Sequence, residues 1–563
     1  MDITFNIEHV YFSRAGSYLS IRAEQGQLIY HTCSKRAVTE KWMPFEANDF
    51  FALQPMRGGQ AVPFTWTAYP DRLELHTAAG DVLTVAFVDG ETLVFGSATL
   101  DLQLKAVKTL ETRYQPYPHF GGLVDWAAKG VHQFRVTEGT TLQIDSEGTV
   151  TFTGENGAAG GFQFVPAEAP WEAPLPTVTE AAAAVKAEFD VWLQDLDRYP
   201  ARYQETAARA LHVLWNNVVS ARNTLPRPAV YVSKAWMNAT WSWDNCFHAL
   251  GVVRAAPELA WDQLLLFALN QHAYGLVPDQ VHDMGMLHTF AKPPIFGWAA
   301  RRLTEVVGLE AARPYLEALY APIARQTMWW YTLRDTDGDG MAQYHHGNDS
   351  GWDNATTFDE GYPVEGADLA AHLVVQMEAL AWMAEQINKP DEAAQWRERA
   401  QRQYDVLMAQ NVRDDHFVTV HAAGHAVVES QSLLNYIPLV LGSRLPPRVC
   451  KALAADLQPG GAYLTEWGLA SEPPTSPKYE HDGYWRGPIW APSNHLIVMG
   501  LVEAGEIETA RTIAERFCHL VMLDAGFWEN YDAVTGKGLR CPGMGWTASG
   551  FLELAAWLGR TNA

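Results

Sequence analysis

Apolar and polar residues alternate over most of the first 165 residues, as in "RLELHTAAGDVLTVAFVDGETLVFG", with glycine-containing turns between the runs. Alternation of this kind puts every second side chain on one face of an extended strand. "TTLQIDSEGTVTFTG" is a hairpin on the same rule. Leu142 and Ile144 lie on one arm, Val150 and Phe152 on the other, and Ser146, Glu147 and Gly148 turn between them. Many short strands with closely spaced turns predict an antiparallel β-sandwich over residues 1–165. "VPAEAPWEAPLPT" then crowds Pro166, Pro170, Pro174 and Pro176 together, which is the composition of a linker. The helical "VTEAAAAVKAEFDVWLQDL" follows it and completes a connecting segment, residues 166–199.

From residue 200 the period turns helical. In "GADLAAHLVVQMEALAWMAEQI" Leu369, Leu373, Met377, Leu380 and Ile387 share a face. Asn388, Lys389 and Pro390 end that helix, and a second begins at once with Ala393, Trp396, Ala400 and Leu407 on one side. Ile507, Ala510, Ala514, Phe517 and Val521 repeat the pattern. About twelve such segments run in consecutive pairs to the C-terminus, which suits a double ring of helices or a solenoid. With no repeat of fixed length, residues 200–563 are expected to close into an (α/α)6 barrel.

At 563 residues and 48% hydrophobic, the chain is long enough for two domains with large cores. A formal net charge of −24 argues against nucleic acid, whose phosphates need a basic surface. No apolar run is long enough to span a bilayer. The opening "MDITFNIEHVYFSRAG" has neither the basic nor the apolar region of a secretory signal, so a cytoplasmic protein is expected. Cys33, Cys246, Cys450, Cys518 and Cys541 are scattered, which fits neither a disulfide framework nor a zinc site.

The segments between helix pairs carry the chemistry. "KAWMNATWSWDNCFHA", "GNDSGWDNATTFDEGYPVEGA", "SPKYEHDGYWRGPIWAPSNH" and "GFWENYDAVTGKGLRCPGMGW" combine tryptophan and tyrosine with carboxylates and glycine. Aromatic rings stack on the C–H faces of a sugar while acids and amides bond its hydroxyls. Trp241, Trp243, Trp352, Trp485, Trp490 and Trp528 each lie within a few residues of a charged group, and as a set they predict a carbohydrate pocket. Cleaving a glycosidic bond takes one protonated carboxyl and one carboxylate. Asp353, flanked by Trp352 and Asn354, and Glu529, in "FWENYD", are the candidate pair. Asp359 and Glu360 read as solvated acids. Asp244 either caps the helix that follows it or binds sugar.

In their order, "WSWDNCFHA", "DSGWDN", "GYWRGPIW" and "WENYDAVTGKG" resemble the motifs of glycoside hydrolase family 63 and its bacterial relatives. That resemblance covers most of the chain after residue 200. It implies an (α/α)6 catalytic barrel and inverting hydrolysis of an α-glycoside, with Asp353 as general acid and Glu529 as general base. It also implies that Asp244 holds sugar hydroxyls beside Trp243 and that Tyr484, Trp485, Arg486 and Trp490 line the pocket; Trp241, Gly351 and Trp352 complete the expected substrate-binding set. One departure stands out: Lys292-Pro293-Pro294 occupies the place of an expected Gln-Pro-Pro. A lysine pointing inward there would favour an anionic sugar or aglycone, whereas a solvated one would not.

"RDTDGDGMAQYHH" places Asp335, Asp337 and Asp339 as in the first half of an EF-hand, yet the twelfth position is His346. A structural Ca²⁺ is therefore expected only if a distant acid completes the shell, and no other cofactor is required. His345 and His346 read as loop residues. The expected activity is that of an inverting α-glucosidase on a small α-glucoside, with a trehalase-type hydrolase as the nearest alternative. A sugar epimerase or isomerase working through His248, His282 or His288 is the other alternative.

Overall fold

The computed structural model describes residues 3–35, 48–108, 110, 112–117, 119–167, 171 and 174–561. Of the linker prolines, Pro170 lies outside the described residues. The N-terminal region forms two antiparallel sheets. One runs, in spatial order, Leu19–Glu24, Gln27–Thr32, Asp49–Arg57, Asp101–Ala106, Val150–Gly154, Thr140–Ile144. The other runs Thr112–Tyr117, Phe120–Asp125, Gly130–Val136, Ala159–Val165, Thr92–Gly96, Val82–Phe87, Leu73–Thr77, Phe64–Ala68. In the hairpin read from sequence, Leu142 pairs with Phe152 and Ile144 with Val150. Rings from both sheets meet in one core, with Phe95 on Phe152 at 4.8 Å and Tyr30 on Phe162 at 5.1 Å.

A capping box starts the connecting helix α1 (Val178–Trp192): the Thr177 hydroxyl accepts the Glu180 N–H, and the Glu180 carboxylate accepts the Thr177 N–H. The helix packs on the sheet at Val82–Phe87, and its Phe189 meets Trp215 of α2 (Gln204–Asn216) at 5.3 Å.

Beyond it follow α3 (Asp244–Val252), α4 (Pro257–Leu269), α5 (Phe296–Val307), α6 (Leu309–Leu333), α7 (Ala367–Gln386) and α8 (Pro390–Gln410). A 3₁₀ rod (Leu433–Arg444) precedes α9 (Pro447–Leu457), α10 (Ala491–Ala504), α11 (Ile507–Met522) and α12 (Gly545–Thr561). Among the described residues, packing passes from α3 to α5, α7, the rod, α10 and α12, and returns from α12 to α3. Helices α4, α6, α8, α9, α11 and α2 each pack on members of this circuit. Pro390 and Pro447 sit in the first turn of their helices, where the missing N–H is not needed.

The sheets also brace the helical region directly. Lys234, buried, donates to the Ser13 hydroxyl (3.0 Å) and the Arg14 carbonyl (3.1 Å). Asn238 donates to the Cys33 carbonyl at 2.8 Å. Both residues lie in the segment that leads to α3. No helix among the described residues is long and apolar enough to cross a membrane.

Candidate active site

The segments leading into α3, α5, α10 and α12 meet at one end of the helices. Trp243, Trp485, Trp490 and Trp546 come from three of them and pack ring on ring.

Asp353 stands on the loop between α6 and α7, and almost every neighbour in that loop is pinned. Asp349 is buried and accepts the N–H groups of Ala291 (2.9 Å), His345 (3.2 Å) and His346 (3.1 Å), and the Arg334 guanidinium (2.7 Å). Thr356 donates to the buried Glu472 carboxylate at 2.8 Å. Gly351 has φ of +73°, and a Cβ there would lie 2.7 Å from Cε2 of Trp243. Both facts require glycine. Asp353 itself is half-buried, and its carboxyl is held above the ordinary range by burial, partly offset by the Lys292 ammonium.

Glu529 lies just before the short strand Asn530–Tyr531. Its N–H donates to the Cys541 carbonyl at 2.7 Å, and its backbone carbonyl accepts the Trp546 indole N–H at 3.2 Å. The side chain is buried, so its pKa is pushed up to about 7. The Cys541 N–H bonds the carboxylate at 3.4 Å and, together with the influence of the Tyr484 hydroxyl, pulls the other way, while the charge of Asp353 adds to the rise. Asp244, at the start of α3, is pushed by burial to about 8, with Lys292 opposing and Asp279 and Glu529 reinforcing.

Lys292 points inward. Its ammonium lies 3.2 Å from Asp279 and donates to the Asn348 carbonyl at 2.7 Å. Asp244, Asp279 and Asp353 all feel its charge. Asp279 is the site residue that sequence reasoning missed. Burial raises its pKa, and Lys292 lowers it. Its signal was weak: one aspartate in "VPDQV", meaningful only once paired with Lys292.

The tryptophans pack mostly against each other. Trp485 stacks on Trp490 at 3.8 Å with 5° between planes, and on Trp352 at 4.4 Å. Trp243, Trp352, Trp485 and Trp490 are all buried, and Trp241 is half-buried. Trp528 donates its indole N–H to Asp524 at 2.7 Å. Arg486 donates to the Asn354 carbonyl at 2.8 Å and pairs with Asp359, which also holds Lys478 at 3.0 Å. Glu360 meets His421 at 3.2 Å.

Away from the carboxyls, Asp337, Asp339, Glu365 and His425 bring ligand atoms within 4.8 Å of one another. Glu365, buried, supplies the distant acid, and amides of Gln343 and Gln410 donate to its two oxygens. Asp335 is outside this group and accepts the N–H groups of Gly338 and Gly340. His346 stacks on Phe290 at 4.6 Å. Burial holds His248 near pKa 3, so it is neutral at physiological pH.

The mannosylglycerate hydrolase MGH1-like glycoside hydrolase domain matches residues 237–547. A mannosylglycerate hydrolase of Thermus thermophilus is 24% identical over 421 residues, covering 61% of this chain and 98% of that one. The solved structure of a family 63 mannosylglycerate hydrolase from Thermus thermophilus, in complex with Tris, superposes with a TM-score of 0.55 and 21% identity, over 62% of this chain and 99% of that one. A glucosylglycerate hydrolase of Mycolicibacterium hassiacum is 22% identical, over 63% of this chain and 98% of that one. A bacterial glucoamylase complexed with acarbose shares the fold across both regions, with a TM-score of 0.57, 10% identity, and 99% and 95% of the two chains covered.

Proposed function

We propose that this chain, which belongs to the mannosylglycerate hydrolase MGH1-like glycoside hydrolase family and is a glycoside hydrolase, cleaves an α-glycoside with inversion, Asp353 serving as acid and Glu529 as base. The closed circuit of packing from α3 round to α12 supports an (α/α)6 barrel as the scaffold. The observation that carries the chemical reading is the pair itself. Two carboxyl groups from separate loops face one site, each held above its ordinary pKa by burial, and Asp353 adds to the rise at Glu529.

Asp353 gives its proton to the glycosidic oxygen as the C–O bond breaks. Glu529 takes a proton from a water that attacks the anomeric carbon from the other face. The products are the free sugar of opposite anomeric configuration and the protonated aglycone; water is the only co-substrate, and proton exchange with solvent resets Asp353 and Glu529. Asp244 and the Asp279–Lys292 pair are suited to the sugar hydroxyls, as adjacent acceptors and a donor. Tyr484 is half-buried and lines the same side.

The named relatives make glucosylglycerate and mannosylglycerate the first substrates to try, with neutral α-glucosides beside them. Lys292 adds little to the case for an anionic aglycone, because three carboxylates already draw on its charge. Proton NMR of the first turnovers is expected to show the β-anomer released from an α-glycoside; an α-anomer would end the assignment of Glu529 as base. Action in the cytoplasm is part of the same reading, supported by five cysteines that are all buried and free.

The Asp337, Asp339, Glu365 and His425 group is a candidate Ca²⁺ site, oxygen-rich on three sides. It would fasten the loop after α6 to the strand before α7, and so the loop that carries Asp353. Chelator is expected to lower Tm by several degrees and added Ca²⁺ to restore it. An unchanged melting curve would remove the metal from the account.

A further inference from the structure

Asp279 stands at the base of a small hairpin, Gln280–His282 and Gly285–Leu287. Its N–H donates to the Leu287 carbonyl at 2.8 Å and closes the hairpin, and its carbonyl accepts the Ser242 N–H at 3.0 Å. Along one edge, Gln280 and Val281 pair with Trp241 and Thr240, the strand that leads to Asp244. Strands of two and three residues supply few ladder bonds. A hairpin of that size is marginal without outside support.

The support is at the tip. Asp283, in the turn, is fully buried. Its carboxylate accepts the Ser34 hydroxyl, the Lys35 N–H at 3.0 Å and the Tyr231 hydroxyl at 3.3 Å. Ser34 and Lys35 continue from the sandwich strand Gln27–Thr32, so two of these three donors belong to the N-terminal region. Asn238, through its bond to the Cys33 carbonyl, ties the same strand end to the segment before α3. The Thr224 hydroxyl adds a bond to the His282 carbonyl beside the turn. The family's domain begins only at residue 237, so Ser34 and Lys35 reach into it from outside.

We propose that Asp283 is a positioning residue: the sandwich holds it, and through the hairpin it sets Asp279 against Lys292 in the site. The inference rests on the reading of Asp279 as a sugar contact of the proposed glycosidase. A buried carboxylate stripped of its donors is costly, so the tip stays where Ser34, Lys35 and Tyr231 converge. The closed hairpin carries that placement down to its base. There the Asp279 carboxylate meets the Lys292 ammonium at 3.2 Å, and its backbone meets Ser242. The sandwich is thereby a working part of the site, although it supplies neither acid nor base.

The test is kcat/KM on the α-glycoside turned over best, measured well below Tm, in a double-variant cycle with Asp279→Ala. Asp279→Ala is expected to lose about 10–100-fold, the worth of a hydrogen bond to a charged group. Asp283→Ala is expected to lose about tenfold or more, as a small misplacement does. In the Asp279→Ala background it should lose nothing further. Asp283→Asn is expected to recover most of the loss, because its oxygen keeps the Lys35 and Tyr231 donors and its amide meets the Ser34 hydroxyl. Should Asp283→Ala fail to fold, Ser34→Ala, which removes one donor on the sandwich side, is read in the same way with a smaller loss. A merely structural Asp283 would lower Tm and leave kcat/KM of the folded enzyme at its wild-type value. That result, or additive losses in the double variant, would overturn the proposal. Full turnover by Asp279→Ala would end the reading of Asp279 and the proposal with it. The catalytic pair fails on a different result, undiminished turnover by Glu529→Gln.

Discussion

Glutamine at position 529 is expected to lower kcat by about 10³-fold or more, since the amide is isosteric but takes no proton from water. Folding should improve rather than suffer. The carboxyl of Glu529 titrates near 7 in the folded chain, against an ordinary value of 4.5. A group raised in this way destabilises the native state progressively between those two values, because the unfolded chain ionises first. Holding it charged above pH 7 costs up to about 3 kcal/mol. Glu529→Gln should therefore melt at the same temperature as wild type near pH 4 and at a higher one near pH 8, with the gap opening between pH 4.5 and 7. Matched melting curves at all pH values would mean that the carboxylate is not desolvated as the geometry indicates. Retained turnover would mean that the base is elsewhere.

The two halves of the fold differ in how plainly their sequences announce them. Alternation in Leu73–Thr77 is mirrored by alternating burial, so its strand character is legible residue by residue. Asp49–Arg57, covered on both faces, is nearly all buried and shows no such rhythm. Helical period locates α7, α8 and α11, but no local pattern tells that α12 returns to α3, since that contact joins distant segments. At the site, the motifs single out Asp353 and Glu529, and burial raises the pKa of both. They pass over Asp279, because an isolated aspartate acquires meaning only beside Lys292.

Tryptophans illustrate the opposite limit. Their grouping near charges is real, but sequence does not say which face of a ring is covered. Here Trp485 packs against Trp243, Trp352 and Trp490. The metal candidates fail in a similar way: Asp337 and Asp339 are visible as a spacing, whereas Glu365 and His425 arrive from other segments.

Asparagine at position 353 should separate the acid from the base by the leaving group it is asked to release. An alkoxide aglycone such as glycerate or a second sugar departs only with a proton. On such substrates Asp353→Asn is expected to lose about 10³-fold in kcat/KM, toward the upper end of what general acid catalysis supplies. A glycosyl fluoride or dinitrophenyl glycoside leaves without protonation, and on these the same variant should fall less than about tenfold. Glu529→Gln has no such escape, because water still lacks its base. A variant at 353 that is equally impaired on activated and unactivated substrates would show that this carboxyl does not deliver the proton. The acid would then have to be sought among Asp244 and Asp279, two carboxyl groups coupled to Lys292 that burial also holds above their ordinary range.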